Sequence, residues 1–166
     1  SRTTISLYML NKSRGNVVTT TLTGKTASAS STTASSNVLI LDGGLGRELE
    51  RVGAPFRQPE WSALSLMEAP DLVAQVHQNF VDAGAKIITT NTYALVPFHI
   101  GQKQFDEQAF SLAARAASIA STVAKKNDIS VAGCIPPAFG SYKPELFCAE
   151  LLSSILLPLI EAQTPY

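Results

Sequence analysis

Cysteine is scarce in this chain: Cys134 and Cys148 are the only two among 166 residues. Two thiols cannot build the disulfide framework of a small secreted domain, and they do not form a Cys-x-x-Cys pair, so both read as structural thiols. No apolar run is long enough to span a bilayer, and none resembles the apolar segment of a secretory signal. A soluble protein in a reducing compartment is therefore expected. Net charge is missing as well, with 13 Lys and Arg against 13 Asp and Glu. No general attraction to nucleic acid follows from such a balance. Histidine is limited to His77 and His99, neither of which has a partner at metal-ligand spacing. Gly-x-Ser-x-Gly and His-Glu-x-x-His are absent, so neither a nucleophile elbow nor a zincin helix is on offer.

What is present is a hydrophobic fraction of 45%, enough for one core in a chain of this length. Acidic residues are missing from the first 41 positions, where Arg2, Lys12, Arg14 and Lys25 stand alone; nine basic and thirteen acidic residues follow. Residues 1–36 are dominated by Ser and Thr and show no sustained periodicity. They read as a disordered leader preceding a domain over 37–166. An acid-free, Ser-rich stretch of this kind also has the composition of an organelle transit peptide, with Met9 available as a start. The expected location is cytoplasmic, or an organelle if 1–36 acts as a transit peptide.

Beyond Asn37 the pattern alternates between strand and helix. Residues 38–41 read as a short buried strand, 47–52 as a helical turn closed by Gly53, and 55–61 as a proline-marked loop. Pro70 suits the first turn of a helix over 70–83, with Leu72, Val76 and Phe80 on one face and Gly84 as its stop. A second strand is expected over 85–90, a long helix over 105–126 with Lys125 and Lys126 at its C-terminal dipole, and a third strand over 129–134. A last helical segment covers 144–162, interrupted near Pro158. This is the order of a parallel α/β protein, whose ligand face lies at the C-terminal ends of the strands. Asp42, Gly43, Gly44, Thr90, Asn91, Thr92 and the loop after Cys134 should gather there. Three strands cannot close a barrel, so further chain beyond Tyr166 is expected.

Gly43-Gly44-Leu45-Gly46 is not a nucleotide cradle: Leu49 occupies the third glycine position of the dinucleotide fingerprint, and no Lys-Ser/Thr follows. Two other readings of Asp42 are open. Its carboxylate could accept hydrogen bonds from an ammonium group while Gly43 and Gly44 bring backbone amides close to a carboxylate; or it could simply cap the following helix. Thr89-Thr-Asn-Thr-Tyr93 is an unusually polar exit from an apolar strand, and Trp61-Ser62 could wall a pocket.

Taken together, Leu41-Asp-Gly-Gly-Leu-Gly46, Trp61-Ser-Ala63, Ala83-Gly-Ala-Lys-Ile-Ile-Thr-Thr-Asn-Thr-Tyr93 and Val131-Ala-Gly-Cys-Ile-Pro-Pro137 with Phe139-Gly-Ser-Tyr142 resemble the homocysteine S-methyltransferases. The resemblance implies a (β/α)8 TIM barrel, here incomplete, with the first three β/α units present. It implies homocysteine and a methyl donor such as S-methylmethionine as partners, with methionine as product and zinc as the metal that deprotonates the homocysteine thiol. By position, it places Asp42 at the substrate amino group, Gly43 and Gly44 in close backbone approach, and Thr90, Trp61, Ser62, Asn91 and Tyr93 around the substrate. The family draws its zinc from three cysteines in the second half of the barrel. No such positions occur here, and neither Cys134 nor Cys148 inherits them. The expectation is a substrate-holding portion that is inactive alone, the alternative being a non-catalytic binding or regulatory fragment or an incomplete gene product.

Overall fold

The computed structural model describes residues 8–10, 17–19 and 38–166, in two units, Ser1–Ser36 and Asn37–Tyr166. In the first unit β1 (Tyr8–Leu10) pairs antiparallel with β2 (Val17–Thr19), Met9 opposite Val18. The expectation of a disordered leader over 1–36 otherwise lies outside the described residues.

The second unit is an α/β arrangement, mostly helical, around a small parallel sheet. Its elements are α1 (Leu45–Arg51), α2 (Ser62–Glu68), α3 (Pro70–Asp82), β3 (Ile87–Thr89), α4 (Pro97–Ile100), α5 (Gln102–Asn127), β4 (Ser130–Ala132), one 3-10 turn (Pro144–Leu146) and α6 (Ala149–Gln163). β3 and β4 run parallel with Ile87, Ile88 and Thr89 facing Ser130, Val131 and Ala132. Residues 38–41 join the other edge of β3 by a single parallel bridge, Leu41 to Ile87, supported by Lys86 N–H to the Ile40 carbonyl at 2.7 Å and Asp42 N–H to the Ile87 carbonyl at 2.9 Å.

The buried strand expected over 38–41 is corrected by this finding. Val38, Leu39, Ile40 and Leu41 are 73, 61, 57 and 50% exposed. A parallel strand is buried only when both faces are covered, and this segment is bridged on one edge alone. Two short helices, α2 and α4, stand where no element was expected. The first follows a loop tied down where Ser65 Oγ donates to the Pro55 carbonyl at 2.5 Å; the second begins at Pro97, which is pre-set for a first helical turn.

Helix α5 organises the core. Its stripe of Ala109, Ala113, Ala116, Ala117 and Ala120 is fully buried, and small side chains let neighbouring backbones approach. One face packs with Leu66 of α2, Leu95, and Leu159 and Ala162 of α6. The next turns meet Ile88 of β3 together with Ala74, Phe80 and Val81 of α3. Leu49 of α1 seats on Val73 and Val76 of α3. Helix α5 ends where Asp128 turns left-handed (φ 52°), with Lys125 and Lys126 in the last turn complementing its dipole. Among the described residues no helix is long and apolar enough to cross a membrane.

Candidate active-site cleft

The strand order places three chain segments side by side: residue 42, the end of β3 and the end of β4. Asp42 leaves the edge segment half-buried, and its carboxylate faces Thr89. Thr89 N–H donates to Oδ2 at 2.7 Å, and the Thr89 hydroxyl lies 2.9 and 3.1 Å from the two carboxylate oxygens. Gly44 is the N-cap of helix α1 and offers no side-chain cap. The bonds that Asp42 accepts come from Thr89 and not from the α1 amides, which disfavours the capping reading.

Past Thr89, a hydroxyl network ties the β3 exit to the β4 exit. Thr90 Oγ accepts from Cys134 N–H at 2.8 Å and donates to Gln163 Oε1 at 2.5 Å. Thr92 Oγ donates to the Cys134 carbonyl at 2.7 Å. Thr90, Asn91 and Thr92 are all buried, so these bonds satisfy groups that would otherwise be costly to enclose. Asn91 Nδ2 donates to the Ser62 carbonyl at 3.0 Å, fixing the start of α2 against the β3 exit. Its Oδ1 is buried without a partner.

These exits form the floor of a cleft of about 720 Å³. Gly43, Trp61, Ser62, Thr90, Asn91 and Tyr93 line it; Asp42 and Gly44 do not, Asp42 reaching the cleft through Thr89, which does. The walls are aromatic. Trp61 packs edge-on against Phe56 with ring centroids 5.5 Å apart, and its backbone holds φ 48°, ψ −128°, a region that non-glycine residues rarely adopt. The Tyr93 hydroxyl bonds Ser141 Oγ at 2.8 Å. Phe98, Phe139 and Tyr142 complete the rim, and among the described residues Lys143 is the one Lys or Arg in the lining.

The two glycines of the motif differ. A Cβ on Gly43 would come within 3.2 Å of Phe80 Cε1, so a side chain there would crowd α3 and Phe80 would have to give by a few tenths of an ångström. On Gly44 the nearest atom would be 4.0 Å away. Packing gives no reason for glycine at 44.

Sequence reasoning missed Thr89, Phe56, Phe98 and His99 as cleft residues. Thr89 was visible only as one of several threonines that suit a strand, and Phe56 and Phe98 as isolated aromatics. Their common wall exists only once loops distant in sequence meet.

Burial shifts three titratable groups nearby, Cys134, His77 and His99, toward their neutral forms. Burial pushes the Cys134 thiol up; a hydrogen bond from Thr92 works against this and the negative charge of Asp42 adds to it. His77, fully buried on α3 with both ring nitrogens unpartnered, is pushed down by burial to about 4, the Asp42 charge drawing it back only in part. His99 is lowered by burial too, while its Nδ1 meets the Pro59 carbonyl at 2.9 Å. A zinc site needs several ionisable donors converging within about 2 to 2.3 Å of one point. Among the described residues no three of His, Cys, Asp and Glu are so gathered. A single protonated thiol does not fit that metal.

A family model described as homocysteine S-methyltransferase matches residues 39–153. Homocysteine S-methyltransferase 3 of Zea mays is 41% identical over 83 residues, 49% of this chain and 25% of that protein. Selenocysteine methyltransferase of Astragalus bisulcatus is 40% identical over 82 residues, 49% of this chain and 24% of that protein. The crystal structure of the metallated homocysteine methyltransferase MmuM from Escherichia coli superposes with a TM-score of 0.67 at 28% identity, covering 79% of this chain and 51% of that one. The chain thus matches about a quarter of the length of these curated relatives and about half of the solved one.

Proposed function

The chain belongs to the homocysteine S-methyltransferase family, and from that premise we propose that 37–166 is the homocysteine-holding part of an incomplete (β/α)8 barrel, its first three β/α units. The observation that carries the reading is the gathering of Gly43, Trp61, Ser62, Thr90, Asn91 and Tyr93 around one cleft beside the Asp42 carboxylate. These residues come from three separated motifs and meet where parallel strands end, the usual ligand face of such sheets.

Each group has a part in holding the amino acid. Asp42 accepts the α-ammonium in a charge-assisted hydrogen bond. Gly43 and Gly44 let the backbone approach the α-carboxylate, Gly44 having no packing reason to lack a side chain. Trp61, Ser62 and Tyr93 enclose the two-carbon thiol side chain. Thr90 and Asn91 act by shaping the floor, their side chains being engaged with Cys134, Gln163 and Ser62. Aromatic faces around a cleft without lining carboxylates favour a sulfonium or ammonium donor through the ring quadrupole. S-methylmethionine is the donor we propose.

In the reaction itself the homocysteine thiol loses its proton to solvent, and its sulfur forms a bond to the donor methyl carbon as the methyl bond to the donor's cationic centre breaks, leaving the donor neutral and the product methionine. Orientation and exclusion of water are what the cleft residues supply. In the family, zinc supplies the activation of the thiol; the described residues do not fit it. We therefore propose that 1–166 alone binds homocysteine without turning it over, acting as a binding portion unless further polypeptide supplies the cysteines. Residues 1–36 are proposed as a separate leader; a fluorescent reporter carrying 9–37 should reach an organelle, and diffuse cytosolic signal would contradict that.

The test is calorimetric titration of the chain with L-homocysteine, with Asp42→Ala weakening binding by about tenfold or more, as expected for loss of a charge-assisted bond. Equal affinity in the variant would remove Asp42 from the site. Methionine formed by the isolated chain from zinc, homocysteine and S-methylmethionine would overturn the proposed lack of turnover.

A further inference from the structure

Thr89 stands at the end of β3, and both of its hydrogen-bond donors converge on one side chain. Its N–H reaches Asp42 Oδ2 at 2.7 Å, and its hydroxyl lies between the two oxygens at 2.9 and 3.1 Å. On the neighbouring residues the ladder is regular: Asp42 N–H goes to the Ile87 carbonyl and Thr90 N–H to the Ala132 carbonyl. The Thr89 amide departs from it to serve a carboxylate instead of a strand. The terminal torsion of an aspartate is a broad, weakly restrained rotor. One donor would fix an oxygen; a hydroxyl shared between both oxygens fixes the plane as well.

A carboxylate offers about four lone-pair directions. Thr89 supplies two donors, one of them shared between both oxygens, so about half of that capacity is left and its direction is set. Asp42 is half-buried and lies outside the cleft lining, whereas Thr89 is part of that lining. We infer that Thr89 is a positioning residue: it orients the Asp42 carboxylate to receive the α-ammonium of an amino acid in the cleft, and so sets selectivity for α-amino thiols over thiol acids lacking the amine. The inference rests on the proposed role of Asp42. A mere staple between the edge segment and β3 would affect all ligands of the cleft alike.

Selectivity is therefore the readout. The full 166-residue chain is titrated with L-homocysteine and with 4-mercaptobutanoate, which has the same thiol and carboxylate but no amine. The wild-type chain should prefer homocysteine, and Asp42→Ala should abolish the preference. Thr89→Val, which keeps shape and removes the hydroxyl, should cut the preference by about tenfold, homocysteine affinity falling much further than 4-mercaptobutanoate affinity. Thr89→Ser, which keeps both donors, should restore it. A preference lost in Asp42→Ala but intact in Thr89→Val overturns the role of Thr89 and leaves that of Asp42 standing. A wild-type chain that binds both ligands equally, or neither, overturns the reading of Asp42 and this inference with it. Should Thr89→Val unfold, Thr89→Cys, with its weak S–H donor, should give an intermediate preference; an unchanged one contradicts the proposal.

Discussion

His77 shows how much a single side chain can weigh here. Its imidazole is fully buried on α3, with no hydrogen bond to either nitrogen. Burial lowers its pKa from 6.5 to about 4 despite the charge of Asp42. In the unfolded chain the ring takes a proton as pH falls through 6.5, while the folded chain resists until about 4. Stability from this group is therefore complete above pH 6.5 and lost as pH drops toward 4. The loss is on the order of 3 kcal/mol. Urea unfolding at pH 7.5 and at pH 5 should show a lower midpoint in acid, and His77→Leu should flatten that dependence. Gly43 and Gly44 provide a second contrast. Gly43→Ala must displace Phe80 at 3.2 Å and should destabilise by about 1 kcal/mol. Gly44→Ala, at φ −71° with no close neighbour, should leave the melting temperature within a few degrees of the parent while weakening homocysteine binding. Unimpaired binding would remove Gly44 from the substrate contact.

Among the elements, long helices were legible because their apolar spacing is repeated many times. The stripe of Phe105, Ala109, Leu112 and Ala116 gave α5, and Leu72, Val76 and Phe80 gave α3, each within a few residues of the observed ends. Short elements lack that repetition. Helix α2 has seven residues and follows prolines that read equally well as loop markers, and α4 has four, beginning at a proline itself. The edge segment 38–41 failed for another reason: its composition suits burial, but burial depends on what lies across it. For the cleft, the glycine pair and the polar exit of β3 were readable as local motifs. The pairing of Thr89 with Asp42 was not, since 47 residues separate them. Close packing of α5 on α6 depends on small side chains. Ala116→Leu, at a fully buried site, should destabilise by about 1–3 kcal/mol through overpacking, visible as a lowered denaturant midpoint with unchanged slope.

At the scale of the whole molecule, the second unit carries an apolar surface that its own helices do not cover. Val38, Leu39, Ile40 and Leu41 run along a sheet edge bridged on one side, and Ile135, Phe147 and Leu151 are more than half exposed. Uncovered apolar edges of this kind favour association. The isolated chain should elute from size exclusion as concentration-dependent oligomers, and Leu39→Lys should shift it toward monomer. A parent that stays monomeric at all concentrations would contradict this.

The cleft beside Asp42 is the proposed place where homocysteine is held. Its most direct test is nuclear magnetic resonance of the 15N-labelled chain with 13C-labelled L-homocysteine. Contacts from the ligand methylenes to the Trp61 and Tyr93 rings, with shifts at the Gly43 and Gly44 amides, are the expected result. Contacts confined to the separate small cavity beside Ser121, Lys125 and Tyr166, or shifts that leave residues 42–44 untouched, would contradict it.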